Sequence, residues 1–220
     1  MVLRLLRFLP VLAITCLAWA LDESILPDAR LIDRLRQENG AAAAQRVKEW
    51  AELLRRLPQI DEQARLEKVN RFFNRIPQGD DMSLWGSRDY WASPLELLTK
   101  NGGDCEDFAL AKYFTLKNTG IDGDKLRITY VRAWLPKEKR VEAHMVLAYY
   151  PSPESDPLIL DNLVSEIRPA TERTDLTPTH SFNAEGLWSA RQRGQSGRLG
   201  DASSVKRWAE LLERMNKERN

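Results

Sequence analysis

One run constrains this chain more than any other: Asn101-Gly102-Gly103-Asp104-Cys105-Glu106-Asp107-Phe108. Two adjacent glycines favour a tight turn. Asp104 then suits a helix N-cap, because a carboxylate there accepts from the orphan N–H groups of the first turn. Cys105 falls at the first helical position, where the macrodipole is positive and favours a thiolate. Phe108, Ala111 and Leu116 follow at spacings that share one helical side. Two readings remain at this point. Free cysteine is often a small buried apolar residue, or it is a nucleophile at a helix start. The flanking carboxylates argue against deep burial.

Composition narrows the setting. The 220 residues are 43% hydrophobic and 30% charged, enough for a core and a soluble surface, and suit one domain with elaborations or two small lobes. The formal charge is +1, so nucleic-acid binding has no electrostatic footprint. No internal repeat or heptad array is evident. Residues 1–20 differ from the rest. Arg4 and Arg7 precede an apolar run from Phe8 to Ala18, and Ala18-Trp19-Ala20 forms a small-x-small site. This predicts a secretory signal peptide cleaved after Ala20, with mature chain 21–220. An uncleaved anchor is the alternative, but the run is short for a span. Lipid attachment at Cys16 is disfavoured by Thr15 before it. Loss of Arg4 and Arg7 takes the formal charge from +1 to −1. Loss of Cys16 leaves Cys105 as a lone thiol in an oxidising compartment, where it has no internal disulfide partner and suggests a reactive role.

In chain order, 28–56 predicts helix, with Gly40 as a breaking point and Pro58 as its end. Residues 61–76 predict a second helix with Leu66, Val69, Phe72, Phe73 and Ile76 on one stripe. The stretch 78–93 reads as loop, its Trp85, Tyr90 and Trp91 either lining a groove or closing over the core. Ser93-Pro94-Leu95-Glu96 reads as N-cap, N1 proline and capping-box glutamate. The central helix should end near Gly120. Past Gly123 the pattern turns to strands: 126–133, 141–150 and 158–163, an antiparallel meander. Residues 164–200 read as irregular, with a further strand near Gly186–Ser189. An amphipathic helix closes the chain at 203–217. Helices first and strands second give an α+β class.

The chain has two histidines. His180 lies in a Thr/Pro/Ser-rich loop. His144 interrupts an apolar strand, where a lone histidine is commonly a satisfied core residue. Asp161, near the end of the next strand, would fall close enough to orient an imidazole. Nucleophile, base and orienter are then all available, and the Cys105 N–H can supply an oxyanion donor.

The runs Gly102-Gly103-Asp104-Cys105-Glu106-Asp107-Phe108-Ala109, Ala143-His144-Met145-Val146-Leu147 and Leu160-Asp161-Asn162 together resemble the bacterial transglutaminase-like cysteine proteinases, and within them the LapG-type periplasmic proteases. The resemblance spans about 28–190. It implies a papain- or transglutaminase-like fold: a helical lobe at about 28–120 packed on an antiparallel sheet at about 124–190. It implies Cys105 as nucleophile, His144 as base and Asp161 as orienter. It further implies Ca²⁺ dependence, with Asp104 and Glu106 at the family's calcium-linked positions; on the residues alone these acids could equally be helix-start acids favoured by the dipole. By the same resemblance the substrate is a large surface adhesin of the LapA type, cut near its N-terminus beside small residues such as an Ala-Ala pair. Release of the adhesin disperses biofilm, and a LapD-type inner-membrane receptor sensing cyclic di-GMP sequesters the protease. A transglutaminase or amidase with the same triad, and a non-catalytic periplasmic adaptor, are the other function classes.

Overall fold

The computed structural model describes residues 26–189, 198–201 and 205–218, so the expected signal at 1–20 lies outside the described residues. Local capping sets the helical half. Asp28 accepts the Leu31 N–H at 2.8 Å and starts α1, Ala29–Asn39. Gly40, at φ +88°, breaks the rod where the sequence placed a breaking point, and α2 runs Ala41–Arg56. Asp61 accepts from Ala64 at 2.8 Å and starts α3, Glu62–Phe73. Within the stretch read as loop, Asp80 caps a short α4, Asp81–Trp85. Trp91 is buried and stacks on Phe182 at 5.6 Å, whereas Trp85 and Tyr90 stack on each other at 4.6 Å, half-buried. Ser93 and Glu96 close the expected capping box of α5, Pro94–Lys100. The central helix α6 is Cys105–Asn118, and Gly120 at φ +89° follows its end.

The apolar spacing of α6 predicts one buried side, but every residue from Asp107 to Leu116 is buried. The reason is its surroundings: α3 and α5 flank it and strands lie against it. Burying a large apolar side chain contributes about 1.5–3 kcal/mol. Phe108, Leu110, Tyr113 and Leu116, each at most 1% exposed, therefore outweigh any helix propensity in fixing this element.

The strands are β1 Leu126–Leu135, β2 Arg140–Tyr149, β3 Leu158–Leu160, β4 Arg168–Pro169, β5 Leu176–Asn183, β6 Gly186–Ser189 and β7 Arg198–Gly200. They form one antiparallel sheet in the order β4-β3-β2-β1-β5-β6-β7. The expected meander forms one half. The expected third strand stops at Leu160, which leaves Asp161 just beyond its end. The other half was not foreseen apart from β6. Residues 176–183 read as irregular because Pro178 and the Thr/Ser/His run hide them. Pro178 sits where the β1–β5 register shifts, a place that tolerates a residue without an N–H. His180 is therefore in a strand rather than a loop. The amphipathic α7, Lys206–Glu218, buries Trp208 and Leu211. A main core lies between helices and sheet, and a smaller cluster of Val131, Val146, Ala148 and Ile159 lies on the other sheet face. Among the described residues no helix is long and apolar enough to cross a membrane.

The double glycine before α6 does two different jobs. A Cβ at Gly103 would lie 2.6 Å from Leu97 Cδ1 and 2.7 Å from Asp107 Oδ2, whereas at Gly102 the nearest atom is Leu84 Cδ2 at 3.1 Å. Gly103→Ala is expected to cost about 1–3 kcal/mol by overpacking, and Gly102→Ala clearly less. Urea unfolding of both variants checks this; equal losses would show that the close approach at Gly103 is not what the turn requires.

Candidate active site

The start of α6 is held by a carboxylate inside the protein. Asp104 occupies the N-cap in extended conformation. Asp107, fully buried, accepts the Asp104 N–H at 3.3 Å and the Ala92 N–H at 2.6 Å. It thus ties the turn before α6 to the segment before α5. Cys105 follows as the first helical residue and is half-buried. Its Sγ lies 3.0 Å from Glu106 Oε2. The Met145 backbone group is near enough to pull the thiol pKa down slightly, so the sulfur lies close to the residue that follows His144 in β2.

The helix dipole predicts a depressed thiol pKa, yet the opposite holds in this structure. Burial pushes the Cys105 thiol up, and the adjacent Glu106 carboxylate pushes it further. Two carboxylate oxygens next to the helix start have no partner although buried: Asp104 Oδ1 and Asp81 Oδ1. Ligand atoms of Asp81, Asp104 and Asp107 lie within 4.8 Å of one another, as do those of Asp104, Cys105 and Glu106. Burial, then Glu106, pushes Asp104 up to about 10, and burial pushes Asp107 up to about 8. Clustered, partly orphaned carboxylates of this kind suit a hard divalent cation. The sequence pointed to Asp104 and Glu106. Asp81 went unnoticed because it lies in a stretch read as loop, beside a more conspicuous capping residue.

The histidine and aspartate come together as expected. His144 Nε2 is 2.8 Å from Asp161 Oδ1, with His144 6% and Asp161 1% exposed. That oxygen also accepts the Leu163 N–H at 2.9 Å. Asp161 Oδ2 accepts from Arg173 Nη2 at 2.8 Å, and Arg173 is held in turn by Asp175 at 2.7 Å. Burial alone would raise the Asp161 pKa, but the bonds from His144, Leu163 and Arg173 outweigh it and hold the carboxyl down at about 2. Asn74 donates to the Asp161 carbonyl at 2.7 Å, which anchors this corner to the end of α3. The thiol itself bonds Glu106, and no hydrogen bond joins it to His144 among the described residues. His180 stacks on Tyr130 at 4.3 Å.

Sequence reasoning missed two cations near Asp161. Arg173 lies in a segment read as irregular, and no spacing rule connects it to Asp161. Lys112 sits among apolar residues of α6, 1% exposed and close enough to feel Asp161. A lysine in a continuous apolar helix was the available signal.

This geometry agrees with what the chain is similar to. Residues 42–192 match the family described as bacterial transglutaminase-like cysteine proteinase BTLCP. The chain belongs to this family of cysteine proteinases. The structure of Legionella pneumophila LapG is 44% identical, with TM-score 0.72, covering 86% of this chain and 98% of that one. Its calcium-bound form matches at TM-score 0.72 over 84% and 98%, and its EGTA-treated form at 0.74 over 86% and 98%, both at 44% identity. The fold is that of LapG: transglutaminase-like, helices first and antiparallel sheet second. No curated protein sequence matches the chain.

The buried lysine gives a pH test. Burial lowers Lys112 to about 7 from 10.5, against an upward pull from Asp161. Between those values the unfolded chain binds the extra proton, so wild-type stability gains as pH rises through this window and the penalty is complete below pH 7. Lys112→Met removes the penalty. Its unfolding free energy should exceed wild type most at about pH 6 and converge on it near pH 10. An equal difference at both values would show that lysine protonation plays no part.

Proposed function

We propose that this chain is a calcium-dependent cysteine endopeptidase acting through Cys105, His144 and Asp161. The observation that carries the reading is the buried His144–Asp161 hydrogen bond beside a thiol at a helix start. Cys105 Sγ gives its proton to His144 and attacks the scissile carbonyl carbon. Asp161, fixed by Arg173, holds the imidazole by Nε2, which leaves Nδ1 to receive the thiol proton. The Cys105 N–H stabilises the oxyanion. His144 then protonates the leaving amine, and water hydrolyses the acyl-enzyme with His144 as base.

Asp104 and Glu106, joined by Asp81 and Asp107, would hold the cation. Calcium, when bound, supplies positive charge that offsets the acids now keeping the thiol protonated. The two unpartnered oxygens of Asp81 and Asp104 support this placement, as does the calcium-bound state of the similar LapG.

The likeness to LapG and the signal-like residues 1–20 support the rest of the reading. The enzyme acts in the periplasm and spans no membrane once the signal is removed. Its substrate is a LapA-like surface adhesin, cut near the N-terminus so that it is released and biofilm disperses. A LapD-like inner-membrane receptor, responding to cyclic di-GMP, sequesters it.

Purified protein incubated with adhesin N-terminal regions tests the reading. Cys105→Ala should abolish cleavage, and His144→Ala should lose about 10²–10⁴-fold. His180→Ala should stay near wild type. The reverse pattern for the two histidines would move the base to the Tyr130 side. Mass spectrometry should show a water added at the cut; amine incorporation would instead mark a transglutaminase.

Chelation provides a separate check. EGTA should stop cleavage and slow iodoacetamide labelling of Cys105. Ca²⁺ should restore both, and Mg²⁺ poorly, because it demands a tighter octahedral shell. Asp104→Ala should lose the melting-temperature rise that Ca²⁺ gives wild type. Full activity in EGTA would reduce the acids to helix-start residues.

A further inference from the structure

The sheet face opposite the main core carries a cavity of about 170 Å³. Liquid water occupies about 30 Å³ per molecule, so the space exceeds a single buried water several-fold. Val131, Val146, Ala148 and Ile159 give it an apolar floor. Its polar lining is unusual in what it leaves unpaired.

Arg127, 8% exposed, lines the cavity from β1. Its guanidinium lies between two rings, 4.5 Å from Trp188 and 4.9 Å from Tyr150. Its Nε is buried without a partner. Arg173 also lines the space; its Nη2 is taken by Asp161 and Asp175, and its Nη1 is buried and unpartnered. The same lining holds one acid. Asp156 binds Thr171 through Oδ2, while its Oδ1 is buried and free of any partner.

Buried charges without partners are costly. A cavity that keeps an unpaired cation, an unpaired carboxylate oxygen and an apolar floor together is the complement of a zwitterion with an apolar body. We propose that this cavity binds a free apolar α-amino acid. Its carboxylate meets the unpaired donors of Arg127 and Arg173, its ammonium meets Asp156 Oδ1, and its side chain covers the floor. Planar bidentate pairing is what a guanidinium offers a carboxylate. A peptide terminus lacks one of the two charges, so the free amino acid fits best. The site does not include Cys105; it shares Arg173 with the Asp161 clamp, and its binding test is read without any catalytic assay.

Isothermal titration of the full chain with leucine tests this. Leucine is expected to bind with a Kd of about 1 mM or tighter. Leucinamide, without the carboxylate, and 4-methylpentanoate, without the amine, should each bind at least about tenfold more weakly. Arg127→Met keeps the aliphatic stem, removes the guanidinium between the rings and should lose at least about tenfold. Asp156→Asn alters a half-buried side chain at constant shape and should lose a similar factor, which keeps the test open if Arg127→Met fails to fold. No saturable binding of leucine would mean that ordered water fills the space. Equal affinity for leucinamide, or unchanged affinity in Asp156→Asn, would also overturn the proposal.

Discussion

A carboxylate with no solvent contact holds the reactive end of this protein in place. Asp107 reaches back to the Asp104 N–H and across to the Ala92 N–H. One side chain thereby fixes the turn, the helix start and the loop before α5. The thiol inherits its position from that arrangement, as do the acids around it. The close approach at Gly103 belongs to the same joint, since a Cβ there would collide with Asp107 itself. A buried acceptor with two donors is satisfied and stiff; the same group left unpaired would cost stability.

A second polar chain, through His144, Asp161, Arg173 and Asp175, organises the sheet side. The two chains differ in electrostatic character. Asp161 has two cationic neighbours and stays ionised. The acids at the α6 start have only one another, and the thiol among them is held neutral. The proposed nucleophile and its base are thus prepared in opposite ways, and a positive charge at the helix start would be the complement that the first of them lacks.

Much of this was legible in the sequence where the interactions are local. Caps at Asp28, Asp61 and Ser93 act within one helical turn, and each reads directly from residue order. The break at Gly40 and the buried His144–Asp161 pair were equally visible, the latter because consecutive antiparallel strands bring those positions together. What escaped depended on distant chain segments. Arg173 reaches Asp161 from beyond β4, and nothing in its neighbours marks it. Strand β5 was hidden by Pro178, which only a register shift could accommodate. The raised pKa of the thiol follows from burial and then from Glu106, which the helix-dipole argument leaves out.

The sheet order has a bearing on how the enzyme comes into being. Strand β1 is central, yet its second edge is covered by β5, a strand made some forty residues after β1 ends. Helices α1 to α6, by contrast, precede the sheet in sequence and can pack as they emerge. A nascent chain that has completed α6 already carries its cysteine but neither the imidazole nor the carboxylate. Even with both synthesised, Asp161 lacks its clamp until Arg173 arrives. On the proposed triad, a molecule truncated or stalled before Arg173 carries the cysteine but not the complete charge arrangement around Asp161.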